Sequence, residues 1–246
     1  MSPVQRFTAK VEKIEQLTHD VRQIDLELID PARIEFKAGQ FVSFEVPDAR
    51  TGRTVTRPYS IASSPGSPHV ISLLLNLVPG GPGSTYLFGL REGDTAAFAG
   101  PAGHFYLRED PARDLLFVAT GTGIAPIRSM LMANAERSHP ARVVLFWGLR
   151  SQRDLYYQDE LAAWVKRHPE NSFLTTLSRP EPGWAGMTGR VTQLVQERVG
   201  DVSRLAVYLC GNSGMIKDVT GLIQAKGLCP IFREKYYDDA GEGQAD

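Results

Sequence analysis
The sequence predicts a two-domain chain: an N-terminal antiparallel β-barrel followed by a C-terminal α/β domain built on a Rossmann-like parallel sheet. Two observations carry this. Up to about residue 110 the apolar residues fall in short alternating runs broken by turn signals, as in strands with one face on a core and one in water. Beyond it they form continuous apolar runs separated by helical stretches, as in a parallel sheet covered on both faces. At 246 residues the chain is long enough for two cores of ordinary size.

In the first half, Ile24, Leu26 and Leu28 of VRQIDLEL share one face, and Val42, Phe44 and Val46 of FVSFEV do likewise. Turns are signalled at Ala38-Gly39, at 48–52, at 65–68 and at Glu92-Gly93-Asp94. The segment LREDPARD, 107–114, reads as a linker, so the first domain is expected over 1–108 and the second over 112–237. In the second half LLFVAT, VVLFWG, SFLTTL and LAVYLC read as buried parallel strands. Asp154 is expected to cap a helix ending at Lys166-Arg167-His168, and Asn212 or Ser213 one ending at Lys226-Gly227. Residues 238–246, DDAGEGQAD, read as a solvated acidic tail.

Composition narrows the function classes. Lys plus Arg number 27 against 28 Asp plus Glu, so no overall field invites nucleic acid or an anionic membrane. No apolar run approaches the roughly 20 residues that span a bilayer, and the first residues hold no apolar signal segment. The two cysteines, Cys210 and Cys229, lack metal or redox spacing, which fits a reducing cytoplasm and leaves no ligand set for an iron-sulfur centre. The histidines show no HExxH or Cys/His spacing, so no metal site is expected. GNSGM is not a nucleophile elbow, because Gly214 arrives one residue too early.

In an open parallel sheet, ligands sit outside the carboxyl ends of the strands. Those ends are Thr120-Gly121, Gly148-Leu149-Arg150, Ser178-Arg179 and Cys210-Gly211, an edge of small residues and guanidiniums suited to a phosphorylated ligand. ATGTGIAPIRSML sets a glycine turn between a predicted strand and a predicted helix, with Pro126 where a full GxGxxG motif has its third glycine. Proline is tolerated there because first-turn amides have no partner within the helix. Read alone, this turn also suits an ordinary strand-to-helix connection, and Cys210 an apolar filler. In the first half, RPYSIASSP crowds Arg57 among hydroxyls with no acid to balance it, and GGPGSTYL is either a loop or a short helix start.

Taken in order, RPYSIASSP, GPAGHFYL, GTGIAP and YLCGNSGMI resemble the ferredoxin-NADP+ reductase family of flavoproteins, and the likeness runs from FKAGQFVSFEV to FREKYY. The resemblance implies a barrel that binds FAD, a second domain that binds a nicotinamide dinucleotide, and hydride passing between the two rings where the domains meet. Carried over residue by residue, Arg57 is the pyrophosphate clamp, Tyr59 packs along the flavin, Ser60 lies near the ring nitrogen that receives hydride, and Ile61 follows in the same segment. Gly81, Gly83, Ser84 and Thr85 make a second pyrophosphate contact, and Gly100, Pro101 and Gly103 a floor. Thr120, Gly121, Thr122, Gly123 and Pro126 match the dinucleotide loop, Cys210 and Gly211 the pair beside the nicotinamide, and Glu234 and Tyr236 a family tail whose aromatic shields the flavin. Ser60, Cys210 and Glu234 are thus the expected catalytic residues, with Tyr237 competing with Tyr236 for the stack.

The implied activity is that of an FAD-dependent NAD(P)H oxidoreductase passing electrons to an external one-electron carrier, ferredoxin or flavodoxin. Alternatives are an NADH-dependent reductase component of a multicomponent oxygenase, a free flavin reductase, or a non-catalytic subunit that binds both nucleotides. NADPH is favoured over NADH. The second strand of the parallel sheet ends without the carboxylate that reads a ribose hydroxyl, and Arg150, Ser178, Arg179 and Arg190 can converge on a 2′-phosphate.

Overall fold
The computed structural model describes residues 4–110 and 112–237; the acidic tail expected at 238–246 lies outside them. The chain divides into two compact units. One holds the residues up to Arg108 together with Ala125–Arg137; the other holds Glu109–Ile124 and the residues from Ser138 onward.

The first unit is an antiparallel sheet of β1 (Gln5–Gln16), β2 (Val21–Asp30), β3 (Phe41–Asp48), β4 (Arg53–Ser60), β5 (Val70–Asn76) and β6 (Thr95–Ala102), with helix α1 (Pro82–Gly89) between the last two. The spatial order is β4-β3-β6-β1-β2-β5. Its outer strands meet just past β4, where Ile61 bridges Leu73 and the Ala62 N–H donates to Ser72 O at 2.8 Å, so the sheet curls towards a barrel. Alternation does what the sequence predicts: Ile24, Leu26, Leu28, Val42, Phe44 and Val46 are all buried in one core with Ile71, Leu73 and Leu87 of α1. Each such side chain contributes on the order of 1.5–3 kcal/mol by leaving water. Pro58 is tolerated because β4 is an outer strand of the order.

The second unit is a wholly parallel sheet. Its elements are β7 (Asp114–Thr120), a 3-10 turn (Gly121–Gly123), β8 (Val143–Leu149), α3 (Gln158–Arg167), β9 (Ser172–Leu177), β10 (Met187–Thr188), α4 (Val191–Arg198), β11 (Leu205–Asn212), α5 (Ser213–Lys226) and β12 (Ile231–Tyr237); α2 (Ile124–Ala135), which follows the 3-10 turn, belongs to the first unit from Ala125 onward. The order β10-β9-β8-β7-β11-β12 means that the chain winds outward from β7 on one side and then crosses to β11 on the other. The switch point therefore lies between the ends of β7 and β11, where this architecture takes its ligand. One face is sealed by Val191, Leu194 and Val195 of α4 and Met215, Val219 and Ile223 of α5, packed on Leu116, Val118, Phe146, Val207 and Leu209.

The caps differ from expectation at one end. Asn212 Oδ1 accepts the Met215 N–H at 3.0 Å and caps α5, as predicted. Asp154 caps no long helix: its carboxylate accepts from the N–H of Ser151 at 2.7 Å and from its hydroxyl at 2.9 Å, closing a separate 3-10 turn (Gln152–Asp154). Helix α3 begins later, after Tyr157 at φ 54°, a left-handed conformation that breaks the run between turn and helix. The strands β10 and β12 were not signalled by periodicity, one being two residues long and the other carrying Arg, Glu and Lys.

Candidate cofactor-binding sites
On β4, Val55, Arg57 and Tyr59 share a half-buried face while Thr54, Thr56 and Pro58 are exposed. Helix α1 starts directly over that face. A Cβ added at Gly83 would strike the Tyr59 hydroxyl and come within 2.9 Å of both Cβ and Cγ of Arg57, so only glycine lets the first turn of α1 lie on those side chains. The Arg57 guanidinium donates to Thr56 O at 2.9 Å, and no carboxylate among the described residues pairs with it. Burial pushes the Tyr59 phenol up to about 12, with the neighbouring Arg57 charge pulling the other way. A half-free guanidinium beside the opening amides of a helix is a chemically sound anion cradle, and it fits a pyrophosphate.

Ser84 differs in detail from expectation. Its hydroxyl is turned back into the preceding loop, accepting the Val78 N–H at 3.0 Å and lying 3.2 Å from the carbonyls of Val78 and Gly81. It shapes the entry to α1, where Gly83 is buried beside it and Thr85 is exposed one position further on.

Past β4 the segment turns inward. Ser60 is 5% exposed and Ile61 fully buried, its N–H donating to Gln40 O at 3.0 Å. The remaining hydroxyls of the stretch are structural: Ser63 Oγ accepts the Ser72 N–H at 3.0 Å, and Ser64 Oγ donates to Glu136 at 2.6 Å. Arg128 donates to Ala62 O at 3.0 Å. Nothing in the spacing of Arg128 or Glu136 marks those bonds in the sequence.

In the second unit the two glycine turns at the switch point interlock. A Cβ on Gly123 would collide with the carbonyl of Cys210 and lie 2.9 Å from the Gly211 N. Gly211, at φ 137°, in turn leaves room for Thr120, whose backbone lies 3.0 Å from a Cβ added there. Thr120 Oγ1 also accepts the Asn212 N–H at 3.0 Å. The 3-10 turn Gly121–Gly123 is thereby pressed onto the end of β11, with Thr122 buried and Pro126 in the first turn of α2, where its missing N–H costs nothing. This turn and helix start fit the pyrophosphate of a dinucleotide.

Register gathers the arginines. Leu149 pairs with Leu177, and Leu177 with Thr188, so Arg150, Arg179 and Arg190 follow the carboxyl ends of three adjacent strands. Two backbone bonds extend the alignment, Ser178 N–H to Leu149 O at 3.0 Å and Arg179 N–H to Arg150 O at 2.7 Å. All three arginines and Ser178 are exposed. No carboxylate among the described residues pairs with the three guanidiniums. Gln193, three residues after Arg190, accepts the Arg190 N–H at 3.0 Å in a capping box at the start of α4.

Cys210, Glu234 and Tyr236 are brought together by the pairing of β11 with β12, in which Cys210 lies opposite Glu234. The thiol is fully buried. Burial pushes its pKa well above the ordinary value, the Glu234 carboxylate pushes it further, and the neighbouring Tyr236 hydroxyl offsets only part. Cys210 is thus a neutral thiol at physiological pH.

A model of the oxidoreductase FAD-binding domain matches residues 8–106, and one of the oxidoreductase NAD-binding domain residues 117–221. Ferredoxin--NADP reductase B of Sorangium cellulosum is 36% identical over 92% of this chain and 94% of its own length. The propane 2-monooxygenase reductase component of Rhodococcus jostii is 31% identical over 98% of this chain and 66% of its own. Among solved structures, the Amycolatopsis cytochrome P450 reductase GcoB superposes with a TM-score of 0.87 at 29% identity, over 98% of this chain and 72% of that one. The two domain models and these relatives show that the chain belongs to the ferredoxin-NADP reductase family of FAD- and nicotinamide-dependent oxidoreductases.

Proposed function
We propose that the protein is an NADPH-dependent reductase that delivers electrons singly to a separate carrier of the ferredoxin or flavodoxin type. The observation that carries the choice of NADPH is the row of Arg150, Arg179 and Arg190 at neighbouring strand ends, with no carboxylate among the described residues paired to them. An enzyme that reads the free ribose hydroxyl wants an acid near the end of the second strand, and β8 ends in Gly148-Leu149-Arg150. Three exposed guanidiniums suit a 2′-phosphate better.

In this reading FAD is held by the Arg57 fork and the start of α1 at Gly81, Gly83, Ser84 and Thr85, with Tyr59, Ser60 and Ile61 lining the ring. Bound flavin supplies the acceptance of an electron pair and its release in single steps. The chain supplies orientation. Tyr59 and Cys210 stay neutral, so neither sets a charge beside the rings, and the Gly121–Gly123 turn holds the dinucleotide pyrophosphate. Glu234 and Tyr236 act on Cys210 through the β11–β12 pairing. A second reading, an NADH-linked component serving an oxygenase directly, is favoured by the name of the propane 2-monooxygenase relative.

Two measurements decide. With ferricyanide as acceptor, kcat/KM should be higher for NADPH; equal or better use of NADH overturns the arginine argument. Reconstitution with ferredoxins and flavodoxins from the same cell should give turnover, whereas electron transfer to an oxygenase alone supports the second reading.

A further inference from the structure
Trp147 lies near the carboxyl end of β8, fully buried. Its indole Nε1–H donates to the carbonyl of Gly121 at 3.0 Å. That carbonyl belongs to the first residue of the dinucleotide turn, which stands at φ 52°. It also accepts the N–H of Ile124, so both its lone pairs are engaged, one by backbone and one by Trp147. Because the donor is wholly buried, the carbonyl faces the protein interior. The indole is itself held: the ring of the buried Tyr156 meets it edge-on at 4.8 Å, and Trp147 pairs with Ala119 of β7, one residue before Thr120.

At Gly121 no Cβ restrains ψ, so the tilt of the Gly121–Thr122 plane is set largely by what its carbonyl meets. If the Gly121–Thr122 plane turned, its carbonyl dipole would leave the interior and repel any anion bound at the turn. We propose that Trp147 is a positioning residue for dinucleotide binding, pinning the Gly121 carbonyl inward so that the turn presents one fixed face to the pyrophosphate. This rests on the reading of Gly121–Gly123 as the dinucleotide turn, but is indifferent to the choice between NADPH and NADH.

The test is Trp147→Phe in the FAD-loaded protein, which removes the donor and keeps an aromatic ring. Titration calorimetry with NADP+ and with NAD+ should show binding weakened about 3- to 10-fold, the range of one net hydrogen bond. Hydrogen exchange over 119–125 should quicken, while FAD content and kcat at saturating dinucleotide stay level. Unchanged affinity together with unchanged exchange overturns the role of Trp147 while leaving the site reading intact. Wild-type protein that binds neither dinucleotide overturns both. Should the variant fail to fold, the indole N–H of Trp147 in the wild type decides, its resonance assigned by elimination with Trp164→Phe and Trp184→Phe. Slowed exchange of that proton on adding NADP+ or NAD+ supports the role, and exchange that ignores saturating dinucleotide overturns it.

Discussion

The glycines of the two units are crowded by different things. At Gly83 the neighbours are side chains, the Tyr59 hydroxyl and the Arg57 stem; at Gly123 they are the backbone of Cys210 and Gly211. The charges differ in the same sense: Arg57 is half-buried beside a phenol, whereas Arg150, Arg179 and Arg190 are exposed. The first arrangement suits a ligand that stays, held by a partly desolvated guanidinium. The second suits one that comes and goes, met by screened charges above a rigid turn.

The largest effect should come from the half-buried clamp. Arg57→Ala removes a charge-assisted contact worth about 1.5–3 kcal/mol and strands a phosphate without its partner, so the purified variant should be largely colourless. Wild-type protein should release FAD on denaturation, and chromatography of that flavin is the check. Retained flavin in the variant, or FMN in the wild type, breaks the assignment of this cradle.

The glycine contrast can be tested directly. Gly123→Ala drives a methyl into the carbonyl of Cys210, which cannot move without displacing β11, and overpacking of this kind costs about 1–3 kcal/mol. Gly83→Ala meets side chains, the Tyr59 hydroxyl and the Arg57 stem, which give more readily than backbone, so its thermal stability should fall less. Melting curves that rank the two the other way would show that the α1 contact is the more rigid.

Much of this contrast was legible beforehand. Alternation in VRQIDLEL and FVSFEV exposed the barrel, and continuous runs such as LAVYLC the parallel sheet, because period and burial follow directly from strand geometry. The glycine turns were legible because close backbone approach admits no other residue. The inward Ser84 hydroxyl, the ties from Arg128 and Glu136, and the displaced start of α3 were not. The ties of Arg128 and Glu136 depend on partners distant in sequence, the start of α3 on one strained residue, Tyr157, and the Ser84 hydroxyl on the course of the loop just before it, none of which local patterning carries.

A smaller effect is expected at the exposed edge. Arg179→Asp should lower kcat/KM for NADPH about tenfold, or about 1.4 kcal/mol, near the lower end for a charged hydrogen bond because two other guanidiniums remain. NADH use should hold level or improve. A loss shared equally by both dinucleotides would mean that Arg179 supports the fold of the edge and reads no phosphate.

The smallest effect separates two weak acids, one half-buried and one fully buried. Beside Tyr59 stands a cation that opposes the effect of burial; beside Cys210 stands Glu234, which reinforces it. The Cys210 thiol is therefore raised in the folded state above its ordinary value of 9.0. The unfolded chain then loses this proton first as pH rises, so the stability that the neutral thiol contributes is complete below that value and is lost between it and the higher folded pKa. Cys210→Ala leaves a small cavity at every pH but removes this slope. Chemical denaturation at about pH 7 and about pH 10 should show the wild type losing roughly 1 kcal/mol more than the variant between the two. Parallel losses would mean that the thiol ionises as easily inside as out, and that the β11–β12 pairing does not hold a neutral sulfur at the switch point.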